Sequence, residues 1–204
     1  MTAPLSILAP TRYPWRFNGP RASRHRIDNR SFAPFNRINF RIEGITAFAP
    51  LPLRRFDLIH AFNRIPIGRT PYLIGFESHL PRAYTMEGTA YFRALQRSLA
   101  SSRCRGVVAI SQHAADLFRA TNAGTQVGDA CVQKLEIRYP NIALPPAQDE
   151  QATTSFDQIR VTFIGSHFAR KGGLVAIRLA ELAHEAGLPI RMTIVSDLQM
   201  GPGI

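Results

Sequence analysis

The sequence has few cysteines and no long apolar run, and each absence excludes a class of protein. Cys104 and Cys131 are the only cysteines among 204 residues, which excludes a disulfide-stapled scaffold and a zinc site built from the chain's own cysteines. No apolar run approaches the roughly 18 residues that a membrane span needs, so no transmembrane segment is expected. The N-terminal residues also lack the basic and apolar regions of a secretory signal. Together these absences favour a cytoplasmic protein.

Lysine is scarce as well, so that arginine carries almost all of the positive charge. Only Lys134 and Lys171 are lysines among 25 basic residues, which face 14 acidic ones and give a formal net charge of +11. Twelve of the arginines lie in residues 1–70, beside three acidic residues. Because guanidinium groups pair well with phosphate, this excess indicates an anionic partner, which is a nucleotide, a phospholipid headgroup, a phosphorylated glycan or a nucleic acid. The alternative is an arginine-rich surface that is simply solvated. No nucleic-acid-binding module accompanies the charge, so no nucleic acid partner is expected.

The apolar residues predict an α/β fold with a largely parallel sheet, because short apolar runs alternate with helical patterns. At 45% of the chain they can fill a core. The predicted strands are residues 6–9, 38–48, 56–62, 72–76, 106–110, 135–139, 159–164 and 190–196. The predicted helices are residues 84–102, a helix after the N-cap Ser111, and residues 174–186. Residues 10–37, rich in Arg, Pro, Asn and Gly, are predicted to form a long loop.

A change of composition divides the chain into two predicted domains. Residues 143–158 are rich in Pro, Gln, Thr and acidic side chains and hold few large apolar ones, which is typical of a linker. The strand and helix pattern starts again after this segment. We therefore predict an N-terminal domain over residues 1–144, a linker over residues 145–158, and a second domain from residue 159 to residue 204.

The segment VTFIGSHFARKGGLVAIRLA, residues 161–180, carries the most specific chemical signal. It predicts a strand, a loop and a helix, and the free amides and partial positive charge of a helix N-terminus favour phosphate. Gly165 lets the chain leave the strand, and Gly172 and Gly173 allow backbone to approach a ligand closely. Arg170 and Lys171 add positive charge just before the helix. These residues predict a diphosphate site, although the loop is neither a P-loop nor a dinucleotide fingerprint. The alternative is an ordinary helix start with two solvated cations.

The sequence GSHFARKGG resembles the start of the donor-binding domain of the retaining glycosyltransferases of family 4, which have the GT-B architecture. The segments FDLIHAF, GVVAISQHAADLF and LEIRYPNIALP are similar to upstream segments of that family, in the same order. The resemblance extends from about residue 55 to residue 197. It implies two Rossmann-like domains, an acceptor-side domain first and a nucleotide-sugar-binding domain second.

The resemblance also implies an activity and its site residues. Members of the family transfer a sugar from a nucleotide-sugar to a glycan or lipid-linked acceptor with retention of configuration, without a metal or a further cofactor. Lys171 and Arg170 would contact the donor diphosphate at the turn formed by Gly165, Ser166 and Gly172. Ser166 stands where many members of the family have an arginine. Arg170 would supply the positive charge of that missing arginine.

In the first domain, the resemblance makes Glu77 and His79 of the segment FESH the candidate catalytic residues. They lie where the family often has a polar residue that faces the sugar. The alternative for each is a strand-end side chain bonded to backbone, and His60 is interpreted as a structural histidine. The family's Glu-x7-Glu pair has no counterpart in the sequence, so the second domain is expected to be incomplete and the chain alone inactive. Many relatives act at the inner membrane surface, which implies peripheral contact with an anionic membrane.

Two other functions remain open at this level. The first is a non-enzymatic basic protein that binds anionic lipid or nucleic acid through the arginine-rich first third. The second is a different nucleotide-binding α/β enzyme, although the sequence has no nucleophile elbow and no dinucleotide fingerprint.

Overall fold

A computed structural model describes residues 3–11, 22–33, 35, 38–49, 55–141 and 157–197 of the chain. The chain divides into two compact units, residues 1–144 and residues 145–204. Most of the predicted linker lies outside the described residues, as do five arginines of the basic first third. Those five are Arg12, Arg16, Arg21, Arg37 and Arg54.

The first unit is built on a seven-stranded sheet in which six strands are parallel. Across the sheet the strands are β4 (Phe48–Ala49), β2 (Arg26–Phe32), β1 (Ser6–Pro10), β5 (Leu58–Phe62), β7 (Tyr72–Phe76), β8 (Cys104–Ala109) and β9 (Leu135–Ile137). Only β4 is antiparallel to its neighbour. Two short strands, β3 (Ile45–Thr46) and β6 (Ile65–Pro66), form a separate parallel pair. The α/β fold with a mainly parallel sheet is thus confirmed, and it is compatible with a Rossmann-like fold.

The strand order reverses at β1, and this reversal marks where a ligand is expected. The chain adds β2 on one side of β1 and then β5, β7, β8 and β9 on the other. In open α/β sheets, ligands bind outside the carboxyl ends of the strands at such a switch point.

Three helices of the first unit follow hydroxyl N-caps. They are α1 (Ala90–Ala100), α2 (Gln112–Asn122) and α3 (Gln126–Val132). The side chains of Thr89, Ser111 and Thr125 each accept a hydrogen bond from the amide three residues later, which satisfies one free donor at each helix start. The predicted cap at Ser111 is confirmed.

One face of the sheet forms the core against these helices. Tyr72, Ile74 and Phe76 alternate along β7 onto this face and are fully buried. The Phe76 ring lies 5.3 Å from the Phe118 ring of α2, and the Tyr72 hydroxyl donates to the Ser98 carbonyl oxygen of α1 at 3.0 Å. Full burial of each such large side chain contributes roughly 1.5–3 kcal/mol.

Two predictions for the first fifty residues are wrong. Strand β2, RIDNRSF, lies within residues 10–37, which were predicted to form a loop. It is a strand because its backbone pairs with β1 from Ser6 to Pro10, and its own side chains are half-buried or exposed. The predicted strand over residues 38–48 is instead a 3-10 turn, Phe40–Ile42, followed by β3 and β4. These two short strands pair with different neighbours, β6 and β2, so they cannot form one continuous strand.

The predicted helix over residues 84–102 is shorter than expected, and a further helix was not predicted. Helix α1 begins only at Ala90, since Thr85 and Gly88 have positive φ angles of 60° and 79° that a right-handed helix does not allow. Helix α3 has seven residues, QVGDACV, which are too few to show a helical period.

Over its described residues, 157–197, the second unit is a single β-α-β element. Strand β10 (Ile159–Ile164) is parallel to β11 (Ile190–Val195) over six paired residues, and α4 (Gly173–Glu185) connects them. All three elements confirm the predicted ones, and Gly187, with a φ of 64°, follows the helix end. Large apolar side chains of this unit remain exposed, including Ile164 and Val175 at 76% and 72%. Among the helices of the described ranges, none has both the length and the apolar character that a bilayer crossing requires.

Candidate functional site

Glu77 lies at the carboxyl edge of the first sheet and is fixed there by Asn63. Because β5 and β7 are parallel neighbours, the residues after them meet at one edge. The Asn63 side-chain amide donates to Glu77 Oε1 at 3.1 Å, and the Glu77 backbone amide donates to Asn63 Oδ1 at 3.2 Å. Asn63 is buried and has a φ of 60°, a left-handed conformation that asparagine tolerates better than most residues.

Two arginines extend this arrangement into a balanced cluster of charges. Arg82 donates to Glu77 Oε1 at 2.8 Å and to Glu43 Oε1 at 3.2 Å, and Arg64 donates to Glu43 Oε1 at 3.1 Å. These four side chains are only 15% to 34% exposed, so solvent screens them less than an ordinary surface pair. The cluster holds the Glu77 carboxylate as a fixed hydrogen-bond acceptor that is still partly open to solvent.

His79 belongs to a separate set of contacts at the same strand end. Its ring lies 5.0 Å from the Tyr84 ring, and its Nε2 is 3.3 Å from Glu87 Oε1. The side chain of His79 is 15% exposed and that of Glu87 is 45% exposed. A carboxylate beside one ring nitrogen orients an imidazole for proton transfer or for hydrogen bonding at the other nitrogen. His79 therefore has the surroundings of an acid-base residue.

Asn63, Arg82 and Glu87 were missed in the sequence, although Asn63 had a signal. It directly follows the apolar run of β5, as Glu77 directly follows that of β7. Arg82 and Glu87 have no such marker, because they reach the site through the irregular segment before α1.

The two cysteines do not offer a nucleophile. Both are buried and free. Burial raises the pKa of the Cys104 thiol, and burial with the nearby Cys104 raises the pKa of Cys131 to about 11. Since the reactive form is the thiolate, both thiols are inert at neutral pH. Across the described part of the chain, no group of three or more His, Cys, Asp or Glu side chains could hold a metal ion.

His60 lies on the other face of the sheet, beside a small cavity of about 270 Å³. The cavity is lined by His60, Leu73, Gly75, Val108, Ile110, Arg138, Tyr139 and Asn141. Burial lowers the pKa of His60, because an apolar environment disfavours the charged imidazolium. His60 is therefore neutral at pH 7, which fits a structural residue.

The lowered pKa of His60 predicts a loss of stability in acid. The unfolded chain has the ordinary histidine pKa of about 6.5 and binds a proton more readily than the folded protein. The free energy of unfolding should therefore be unaffected above that pH and should fall as the pH drops below it. Urea unfolding at about pH 7.5 and about pH 5.5 measures this fall, which should be smaller in His60→Gln. The exposed His113 of α2 gives the control variant His113→Gln, which should keep the wild-type difference. An unchanged difference in His60→Gln would contradict the prediction.

In the second unit, the structure places the predicted phosphate-binding residues in the turn between β10 and α4. Ser166, Arg170 and Lys171 are exposed, and neither cation has an ion-pair partner among the residues that the structure describes. Gly165 lies under the Lys171 side chain, because a Cβ at Gly165 would be 3.1 Å from Lys171 Cβ. Gly172 precedes α4 with a φ of 90°, which favours glycine at this position.

The glycine amides of this turn are already used within the loop itself. The Gly172 amide donates to the Ala169 carbonyl oxygen at 3.1 Å, and the Gly173 amide donates to that of Phe168 at 2.8 Å. No side chain caps α4. A phosphate at this helix start would therefore be bound by Arg170, Lys171 and the amides after Gly173, not by the two glycines.

Phe168 anchors this loop, a role that was not predicted from the sequence. It is only 4% exposed and lies edge-on to Phe163, with ring centroids 5.8 Å apart. A Cβ at Gly173 would lie 2.2 Å from the Phe168 ring, so glycine is required there for packing. A large aromatic residue within a polar, glycine-rich loop could have predicted this anchor.

Comparisons of the chain with protein-family models, with curated proteins and with solved structures found no match.

Proposed function

We propose that this chain is part of a GT-B glycosyltransferase that transfers a sugar from a nucleotide-sugar to a glycan or lipid-linked acceptor with retention. The first unit would serve the acceptor, and the second would begin the nucleotide-sugar domain. The observation that carries the proposal is the pair of exposed cations, Arg170 and Lys171, at the start of α4 and at the carboxyl end of β10. That position in a β-α-β unit is where nucleotide phosphates bind in α/β proteins.

The two cations have a direct role in such a reaction. When the bond between the sugar and the nucleotide breaks, negative charge builds up on the departing diphosphate. Lys171 and Arg170 stabilise that charge, and the partial positive charge of the α4 N-terminus adds to their effect. Gly165 supports this role, because the absence of a side chain leaves room for the Lys171 stem.

In the first unit, Glu77 and His79 have different tasks in the proposal. Glu77 is held by Asn63 and Arg82 and accepts hydrogen bonds from hydroxyl groups of the bound sugar. His79 is oriented by Glu87 and donates or accepts a hydrogen bond at its other ring nitrogen. The strand order supports this assignment, since both residues follow β7, which only β5 separates from β1, where the order reverses. In the same proposal the protein is cytoplasmic, with peripheral contact to an anionic membrane.

Isothermal titration calorimetry with a nucleoside diphosphate tests the phosphate site directly. We expect UDP or GDP to bind the wild-type chain and to bind Lys171→Ala at least about tenfold more weakly, which corresponds to about 1.4 kcal/mol for the lost contact. Arg178, which lies on α4 and pairs with Glu181 at 3.0 Å, provides the control variant Arg178→Ala. Binding of the control should equal that of the wild type.

Two outcomes would contradict this proposal. Equal binding by wild type and Lys171→Ala would refute the phosphate site. Binding of DNA or of anionic vesicles that does not depend on nucleotide-sugar, and that falls steeply with added salt, would favour the non-enzymatic basic protein instead.

A further inference from the structure

A large cavity in the first unit lies away from the residues of the proposed reaction. Its volume is about 770 Å³, within the range of roughly 300–1,000 Å³ that is typical of small-molecule sites. It opens beside the segments that precede β5 and β7, whereas Glu77 and His79 follow β7. A strand of five residues such as β7 is about 16 Å long, so the cavity is separate from the carboxyl edge.

The floor of the cavity is apolar and continuous with the core. Leu8 of β1 and Ile59 of β5 are paired in register and lie side by side, at 3% and 6% exposure. Phe48 and Phe56 line the cavity beside them, and Ile67 is half exposed at its side. Water gains little in a cavity of this kind because its walls offer few hydrogen-bond partners. The lining therefore favours an apolar group of a ligand.

Residues 67–70 form one wall of the cavity, and this loop is held in place by contacts outside the cavity. The Arg103 side chain donates to the Thr70 carbonyl oxygen at 3.0 Å and also to that of Pro66. Its guanidinium lies 4.7 Å from the centre of the Tyr72 ring. The Ile67 amide donates to the Thr46 carbonyl oxygen at 2.8 Å. The wall is thus formed before any ligand binds, which lowers the entropic cost of binding.

Two exposed arginines, Arg55 and Arg69, give the cavity its charge. Both line it, and the described lining residues include no carboxylate. Neither arginine has an ion-pair partner within the described part of the chain. The carboxylate of the neighbouring Asp57 is directed at the Ser6 amide, at a distance of 2.7 Å. Two guanidinium groups without carboxylates complement a phosphate or carboxylate group.

We propose that this cavity binds an amphiphile with an anionic phosphate or carboxylate head and a single apolar chain. Arg55 and Arg69 bind the head, and the apolar chain lies on the floor formed by Leu8 and Ile59. This site is independent of the proposed sugar transfer, because it uses neither the carboxyl edge of the sheet nor the second unit.

Dodecyl phosphate, used below its micelle concentration, tests the site by isothermal titration calorimetry on the full chain. We expect saturable binding of one molecule per chain. The double variant Arg55→Gln/Arg69→Gln should bind at least about tenfold more weakly, since it removes both charged contacts. Ile67→Ser, which changes a half-exposed lining residue, should also weaken binding severalfold. Arg160→Gln, at an exposed position of β10 in the second unit, removes one positive charge elsewhere and should bind as the wild type does.

The remaining arms separate the possible sources of the anionic group. Inorganic phosphate alone should bind at least about tenfold more weakly than dodecyl phosphate, because the apolar contact is missing. Equal binding of the two would overturn the proposal. The proposal would also be overturned if the double arginine variant binds dodecyl phosphate as tightly as the wild type. The absence of saturable binding to the wild type would overturn it as well. The last arm uses phosphatidylglycerol vesicles. A membrane-binding surface would replace the proposed site if the chain binds vesicles but does not bind dodecyl phosphate. In that case vesicle binding would be lost in salt and would be unchanged in Ile67→Ser. Circular dichroism confirms that each variant is folded.

Discussion

Gly128→Ala is expected to destabilise the first unit by about 3 kcal/mol or more, the upper part of the range for overpacked cores. Gly128 lies in the first turn of α3, against Asn122, the last residue of α2. A Cβ at this position would be 1.7 Å from the Asn122 carbonyl oxygen and 2.8 Å from its carbon. These are backbone atoms, so no change of rotamer can relieve the contact. Urea unfolding followed by circular dichroism measures the loss.

The structure around Asn122 makes a compensating shift costly. Asn122 is 1% exposed, and its side-chain amide donates to the carbonyl oxygens of Leu80 and Phe118, each at 2.9 Å. Its Oδ1 accepts from the Gln96 side chain at 3.1 Å. If Asn122 moves, these buried groups lose partners that water cannot replace.

Gly106→Ala is the matched control for this prediction. A Cβ at Gly106 would approach only the end of the Leu73 side chain, at 2.8 Å from Cδ1. Leucine can change its rotamer, so we expect a loss of less than about 1 kcal/mol. Equal stability of Gly128→Ala and the wild type would mean that the first turn of α3 does not lie against Asn122 in this way.

Lys134→Met is expected to destabilise the first unit by about 3 kcal/mol, because it removes a cation that satisfies several partly buried carbonyl groups. The carbonyl oxygens of Leu99, Ala100, Ser101 and Cys104 lie 2.5 to 3.0 Å from the Lys134 ammonium and share its three N–H donors. The first three of these oxygens lie at the end of α1, where the helix has no partners of its own and where its dipole favours a positive charge. Methionine has nearly the same length but cannot donate a hydrogen bond. Thermal and urea unfolding measure the effect.

The second lysine of the chain provides the control. Lys171 is exposed, so Lys171→Met should change the free energy of unfolding by no more than about 0.5 kcal/mol. If both variants unfold like the wild type, Lys134 does not hold the end of α1. In that case the two lysines would differ in their exposure to solvent but not in their effect on the free energy of unfolding.

The central strands of the first unit could be predicted because both faces of a parallel sheet are largely removed from water. Strands β5, β7 and β8 therefore appear as short apolar runs. Strand β2 has no such run and was predicted as loop, since its position depends on backbone pairing with β1. The prediction of helices is limited in a similar way, because it uses only residues that are close together in the sequence. Ser111 could be recognised as a cap from its neighbours, but the short helix α3 could not.

The candidate site could be predicted in the same partial way. Glu77 and His79 were identified from the resemblance of the segment FESH to the glycosyltransferase family, and the phosphate turn because glycines and cations precede a helix. The partners of Glu77 could not be foreseen. Arg82 connects Glu77 with Glu43, 39 residues earlier than Arg82 itself, and Asn63 reaches Glu77 from the neighbouring strand.

By itself, the sequence determined the alternation of strands and helices, the residues at the strand ends and the positive charge. These depend on burial, on local caps and on composition, which each segment carries alone. Only the tertiary structure decided the strand order around β1, the buried anchor at Phe168 and the cavity beside Arg55 and Arg69. Such features come from residues that are distant along the chain, and they arise from packing geometry that no single segment contains.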